Sequence, residues 1–228
     1  GIYYLLYSKI LYDYIFISYS MFLIGFIDDL KINIKPFKRL LIMTIMLFTS
    51  IYFFPIKILN IDISLLEFIN KNNFFSSIFT LLCFLFIING ANLIDGYNGL
   101  LSLHSLIILV ILFSINYLNE NNDLANLLFC EILVLIIFLK FNFPKAKIFL
   151  GDSGAYFLGA FIAISTIETS IANPTISPFY FCILMFYLFF EVFFSFLRKL
   201  IKGKISPIHP DKKHLHMLLY KNFLKKNN

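Results

Sequence analysis

FFSSIFTLLCFLFIINGANLIDGYNGLLSLHSLIILVILFSINYL, residues 74–118, decides how this chain is built. Two apolar runs, 74–92 and 100–118, flank a short polar turn, Asp95-Gly96-Tyr97-Asn98-Gly99. Each run is close to the ~20 residues that carry a helix across a hydrocarbon core. Lipid offers no hydrogen bonds to a bare backbone, so runs of this length are read as helices rather than barrel strands.

The same pattern extends in both directions. Further apolar runs are read at about 6–27, 38–56, 124–141, 153–171 and 178–198, giving seven spans with short polar connections. Composition agrees: of 228 residues, 60% are hydrophobic and 14% charged, and the mean hydropathy is +0.84. A soluble domain averages roughly 45–50% apolar and about 25% charged, so a soluble globule is excluded, and so is a disordered chain. The expected fold class is all-α, a multi-pass transmembrane helical bundle in one membrane-embedded domain over 1–228. Cys83, Cys130 and Cys182 all lie in apolar stretches with no metal-ligand spacing and read as packing residues.

The net charge of +6 raises the question of nucleic acid, but where the charges sit answers it. Sixteen of the 19 Lys and Arg fall in the odd-numbered connections and the tail. Only Lys57 and Lys71 fall in the even ones, and Lys9 lies near the outer end of the first span. That asymmetry places the odd connections and the tail in the cytoplasm. The lipid bilayer, not nucleic acid, is the expected partner of the basic residues.

Four polar clusters are each separated by two spans and so return to the same face. Asp28-Asp29 ends the first span. Paired carboxylates there suit a divalent cation or a general base. At a helix C-terminus they oppose the dipole, so a metal or a nearby Lys is expected to compensate. The rival reading is a solvated loop with two acids. The second cluster, Asn89 to Gly99, holds Asn92, Asp95 and Asn98 at i,i+3 spacing among three glycines. That is more than a hairpin turn needs, and such polar residues are expensive in a bilayer unless they line a cavity. The third is Phe141-Asn142-Phe143-Pro144-Lys145-Ala146-Lys147-Ile148-Phe149-Leu150-Gly151-Asp152-Ser153-Gly154, a loop entering a helix. Asp152-Ser153 is a fair N-cap for the next helix; the lysines and glycines also suit a metal-bound phosphate. The fourth is Ser206 to His216, with His209, Lys212, Lys213, His214 and His216. It reads as an anion site built on a loop or extended segment, against the rival of a basic tail touching anionic lipid. His104, Glu131 and Glu191 lie inside spans and read as helix–helix hydrogen-bonding residues.

These four clusters in this order resemble the polyprenyl-phosphate N-acetylhexosamine-1-phosphate transferases over essentially the whole chain. The resemblance implies transfer of a HexNAc-1-phosphate from a UDP-HexNAc to undecaprenyl phosphate at the cytoplasmic face of the bacterial inner membrane, with release of UMP. It implies Mg²⁺, with Mn²⁺ as a substitute, and is compatible with a homodimer. Asp28 and Asp29 match the family's paired aspartates, tied to the lipid phosphate and catalysis. Asn92 and Asp95 match its Asn-x-x-Asp-Gly motif at the nucleotide site, with Asp95 counted as catalytic. Asn98 stands where many members carry a second aspartate. Asp152 matches the Gly-Asp aspartate, both catalytic and the magnesium ligand, and Phe149 an aromatic that stacks on uracil. His214 and His216 match the His-x-His of the last loop, with Lys212 and Lys213 beside it for substrate binding.

Pro210-Asp211-Lys212-Lys213-His214-Leu215-His216 looks like the GlcNAc-1-phosphate type rather than the consecutive histidines of the MurNAc-pentapeptide enzymes. The family's N-terminal spans, a Pro/Gly-rich cytoplasmic loop and the span after the histidine loop have no counterpart, so the resemblance implies a fragment. CDP-alcohol phosphotransferases are set aside because Asp95-Gly96 is not followed by their Ala-Arg. A transporter or channel subunit is the other class considered; it expects polar residues at mid-membrane broken helices.

Overall fold

The computed structural model describes residues 9–32, 34–54, 56–58, 61–202 and 214–227, and every element in them is a helix. In chain order these are α1 (Lys9–Asp29), α2 (Pro36–Phe53), α3 (Ser64–Asn70), α4 (Asn73–Ile94) and α5 (Leu100–Leu118). They are followed by α6 (Asn122–Asn142), α7 (Gly151–Ala172), α8 (Pro178–Leu184), α9 (Phe186–Lys202) and α10 (Leu215–Asn227).

The all-α bundle is as expected. Among the described residues five helices, α2 and α4–α7, are long and apolar enough to cross a membrane, and the bent pair α8–α9 makes a sixth if it counts as one span. Helix α1, where the first of the seven spans is expected, is 21 residues long with Lys9, Asp13, Asp28 and Asp29 toward its ends. The run 178–198 is not one straight helix: it bends by 68° at a break. Met185 is the break residue, and its neighbours Leu184 and Phe186 are apolar. The bend therefore lacks the polar lining that a transport site at a broken helix would need.

Helix α7 is the centre of the bundle. Of its apolar stretch 72% is buried within the chain, against 44% or less for the other four long helices. It packs on α1, α4 and α5. Small side chains let it do so: Ala155, Ala160 and Ala163 are fully buried. At Gly159 an added Cβ would stand 2.7 Å from the Ile88 Cα of α4. In lipid, where apolar surface gains nothing by leaving the solvent, such close backbone packing holds helices together.

Helix α1 shows how a half-lipid-facing helix reads. Tyr14, Ile17, Met21 and Ile24 are buried at spacings of three and four, while Tyr12, Phe16, Tyr19, Leu23 and Phe26 are exposed. Helices α5 and α6 form an antiparallel hairpin closed by the turn 119–121. Because α5 and α7 both start at the same end of the bundle, α4 and α1 finish there. The first three clusters, with His214 and His216 of the fourth, are gathered at that end.

Candidate active site

The end of α1 meets the start of α7. Both carboxylate oxygens of Asp29 accept backbone hydrogen bonds from α7: the Asp152 N–H at 2.9 Å and the Ser153 N–H at 3.0 Å. A helix N-terminus has N–H groups without intrahelical partners and carries partial positive charge. Here another helix supplies the cap. The expected self-cap by Asp152 is not found: the N-cap residue is Leu150, in a helical conformation and without a side-chain cap. The compensation expected for the Asp28-Asp29 pair is supplied in part by this N-terminus.

Two glycines make the junction. An added Cβ at Gly25 would stand 2.4 Å from the Asp152 carbonyl oxygen, so the α1 and α7 backbones nearly touch. Gly151 has φ +66 and a side chain there would meet the Asp29 carboxylate at 2.7 Å. Both the left-handed backbone and the space exclude other residues.

Arg39, in the first turn of α2, completes the cluster. Its Nη1 donates to Asp28 Oδ2, and to Asp152 Oδ2 at 3.0 Å. The guanidinium also lies over the Tyr156 ring, 5.6 Å from its centroid, one turn along α7 from Asp152. Asp152 Oδ1 accepts from the Asn92 amide at 2.7 Å. Asp28, Asp29, Asn92 and Asp152 are thus brought together, from residues up to 124 positions apart.

Asp95 follows α4 directly and its N–H bonds to the Ala91 carbonyl at 3.2 Å. Burial, then the nearby charges of Asp152 and Asp29, push its carboxyl up to about 6. Arg39 pairs with Asp28 and Asp152 while Asp29 is held by backbone N–H groups, and Asp95 registers the negative charge around it. A hard-oxygen donor set with excess negative charge fits a divalent cation. No three Asp, Glu, His or Cys side chains are gathered as ready-made ligands among the described residues.

The loop 143–150 is held by two side-chain amides, Asn142, to which the sequence assigned no role, and Asn98. Asn142, at the end of α6, accepts from the Gly99 N–H at 2.6 Å and donates to the Ile148 carbonyl at 2.8 Å. Asn98 donates to the Pro144 carbonyl at 3.1 Å. Asn98 therefore acts on the backbone of this loop. Phe149 stands on the same loop, 75% exposed, just before α7.

His214 and His216 lie at the start of α10, both buried. The expected loop or extended segment is corrected in part: α10 begins at Leu215, so His216 is helical. The two rings still stack, 5.8 Å apart and 8° from parallel, because His214 precedes the helix. Glu191 of α9 organises them, accepting from the Leu215 N–H at 3.0 Å and lying 3.1 Å from His214 Nδ1. Reading Glu191 as a helix–helix hydrogen-bonding residue captured its chemistry but not its partner. His216 Nε2 lies 2.8 Å from where a Cβ on Gly96 would be, which puts it against the turn that follows Asp95. Lys212 and Lys213 lie outside the described residues.

Arg39 was missed as a site residue because it lies in a run of basic residues that looked like a solvated connection. A signal was present: it is one of only two arginines among 19 basic residues. Its Nη1 reaches two carboxylates while the planar guanidinium lies over the Tyr156 ring, a stacking contact suited to arginine.

A helical membrane bundle with an acidic cluster at one end now has a family. Residues 12–170 match glycosyl transferase family 4, and the chain belongs to that family. Among curated relatives, it is 32% identical over 142 residues to the undecaprenyl-phosphate alpha-N-acetylglucosaminyl 1-phosphate transferase of Thermotoga maritima, covering 61% of this chain and 41% of that protein. It is 30% identical over 194 residues to the phospho-N-acetylmuramoyl-pentapeptide-transferase of Dictyoglomus turgidum, covering 82% and 62%. It is 30% identical over 165 residues to the decaprenyl-phosphate N-acetylglucosaminephosphotransferase of Mycobacterium leprae, covering 62% and 40%. The chain thus spans less than two thirds of the length of each of these relatives.

Proposed function

We propose that this protein transfers a HexNAc-1-phosphate, GlcNAc-1-phosphate in our reading, from a UDP-sugar to undecaprenyl phosphate at the cytoplasmic face of a bacterial inner membrane, releasing UMP. The observation that carries the proposal is the junction of Asp28, Asp29, Arg39, Asn92 and Asp152 at one end of the bundle. Carboxylates beside two anionic substrates make sense with a cation between them. The names of the Thermotoga and Mycobacterium relatives and the Pro-Asp-Lys-Lys-His-Leu-His tail support GlcNAc. The charge asymmetry of the connections supports the cytoplasmic face.

In this reading an oxygen of the lipid phosphate attacks the β-phosphorus of the UDP-sugar. The new P–O bond forms as the bond to the UMP oxygen breaks, and the electron pair leaves with UMP. A phosphate monoester is largely dianionic at pH 7 and needs little help from a base. Positioning and charge neutralisation therefore dominate. Asp29 has both oxygens engaged in joining α1 to α7, so its role is to place Asp152. Asp28 faces Arg39 and is the member of the pair assigned to the lipid phosphate. Asp152 and Asp28 would hold Mg²⁺, with Asp95 adding negative charge nearby. When bound, the ion neutralises the diphosphate and the charge developing on UMP. Asn92 fixes the Asp152 carboxylate, Phe149 offers an exposed ring to stack on uracil, and His214 and His216, with Lys212 and Lys213, bind the sugar-phosphate part.

The test is transfer of label from UDP-[¹⁴C]GlcNAc into butanol-extractable lipid, in membranes containing the protein, with and without undecaprenyl phosphate and EDTA. Label is expected only with the lipid phosphate and only without EDTA. Labelling that persists in EDTA would refute the metal assignment, and labelling from UDP-MurNAc-pentapeptide alone would change the donor.

A further inference from the structure

We infer that Glu191 and Tyr187 are positioning residues that hold His216 with its proton on Nδ1, presenting Nε2 as a hydrogen-bond acceptor for a hydroxyl or amide donor of the sugar. The inference rests on the transferase reading above and assigns the atom that meets the substrate.

The argument starts from what faces each ring nitrogen. Glu191 Oε1 lies 3.6 Å from His216 Nδ1, and the Tyr187 hydroxyl oxygen lies 3.4 Å from the same atom. Glu191 is 1% exposed and already accepts from Leu215, so its carboxylate is fixed in place. A carboxylate only accepts hydrogen bonds, so the nitrogen facing it carries the hydrogen. In a neutral imidazole the other nitrogen is then bare. Burial, with the neighbouring His214 adding to it and Glu191 opposing, lowers the His216 pKa, which favours the neutral ring.

The surroundings of Nε2 point the same way. It is buried and has no hydrogen-bond partner among the described residues. It faces Gly96, where any side chain would fill the space. The Tyr97 ring meets the imidazole edge-on at 5.5 Å and closes one side. On the far side of the clamp, His104 of α5 packs edge-on against Tyr187, again at 5.5 Å, and braces it. The unpartnered nitrogen therefore lies beside the turn that follows Asp95. A bare Nε2 cannot donate to a phosphate oxygen; it selects a donor. On a HexNAc the donors are the ring hydroxyls and the acetamido N–H.

Two measurements decide it. The first is the tautomer of His216, read by long-range ¹⁵N–¹H correlation on ¹⁵N-histidine-labelled protein in nanodiscs, with His216→Gln identifying the signal. The expected signature is Nδ1–H with a bare Nε2, and Glu191→Gln should move population to the other tautomer. Should Glu191→Gln disturb the fold, Tyr187→Phe tests the same clamp by a smaller shift in the same direction. Nε2–H in the wild type, or a tautomer indifferent to both variants, overturns the positioning role. The second is transfer from UDP-GlcNAc and its single-deoxy and deacetamido analogues. His216→Phe should lower kcat/KM roughly tenfold with UDP-GlcNAc, as for one lost hydrogen bond, and add no loss with the one analogue that lacks the donor. Equal losses with every analogue would show that Nε2 does not read the sugar. No transfer by the wild type from any UDP-HexNAc overturns the transferase reading instead, and the tautomer still decides the positioning.

Discussion

The two ends of the bundle solve the problem of polar groups in a membrane differently. Away from the acidic cluster, α5 and α7 meet through neutral side chains. The Asn116 amide donates to Thr169 Oγ1 at 2.8 Å and to its own helix at Leu112, while Asn173 donates to the Thr169 carbonyl at 2.8 Å. Nearby, Ser177 donates to Asp62 at 2.6 Å. These donors and acceptors are matched with one another. At the other end two carboxylates share one guanidinium, the Asp95 carboxyl is pushed up to about 6 beside those of Asp152 and Asp29, and a buried imidazole nitrogen has no partner among the described residues. A matched set is architecture, whereas an unmatched one is prepared for something that arrives.

Substitutions at the two ends should separate these roles. The largest effect is expected for Asp152→Asn, which keeps the shape but gives up the charge: transfer should fall at least about a hundredfold, roughly 3 kcal/mol, as for losing a main electrostatic stabiliser. Near-wild-type turnover in the lipid-labelling assay would break the contrast outright. Asp29→Ala should show the opposite face of the same end, removing two charge-assisted bonds and costing roughly 2–4 kcal/mol of stability. It should appear as a lowered midpoint of unfolding in detergent as well as lost turnover.

Asp95 supplies a pH test with a definite sign. Its carboxyl is raised from 3.8 to about 6, so the folded protein holds that proton more tightly than the unfolded chain. The stability this contributes is fully present below about pH 4 and is lost as pH rises through about 6. Asp95→Asn should therefore raise stability at pH 7.5 by roughly 1–3 kcal/mol, with the gain shrinking toward pH 4. Paired thermal melts at the two pH values check it, and a gain that grows on acidification would reverse the sign.

At the matched end, Asn116→Leu should cost about 0.6–1.7 kcal/mol of stability, the range for interhelical hydrogen bonds in membranes, and leave transfer unchanged. Smallest of all is Asn98→Asp. It removes an exposed amide donation to Pro144, and turnover should stay within about threefold of wild type, under roughly 1 kcal/mol.

Much of this was legible in the sequence, for physical reasons that differ by element. The apolar runs fixed the helices because lipid permits little else. Asp28, Asp29, Asn92 and Asp152 could be placed on one face because two crossings return a chain to the side it left. The bend at Met185 was not legible, because an apolar residue ends α8 without any sequence mark. Arg39 was missed, and Asn142 was left without a role in its cluster, for another reason. Each acts on groups far away in the chain, Arg39 on Asp152 and Asn142 on Gly99, and neither spacing nor periodicity reports such a contact. The unequal duties of Asp28 and Asp29 likewise needed the position of α7.

The cap that Asp29 places on α7 has a consequence for biogenesis. Its donors are the N–H groups of Asp152 and Ser153, 123 and 124 residues further along. As the ribosome delivers the chain, α1 is made with two adjacent acids at its end. Lys31, Lys35 and Lys38 follow within ten residues, the guanidinium that pairs with Asp28 comes with Arg39, and the backbone donors only once α7 has been synthesised. Helix α1 must then remain accessible, or be released from interim neighbours, while four long helices are made. The junction therefore cannot close before α7 is made, and a chain interrupted before residue 153 has no means of closing it.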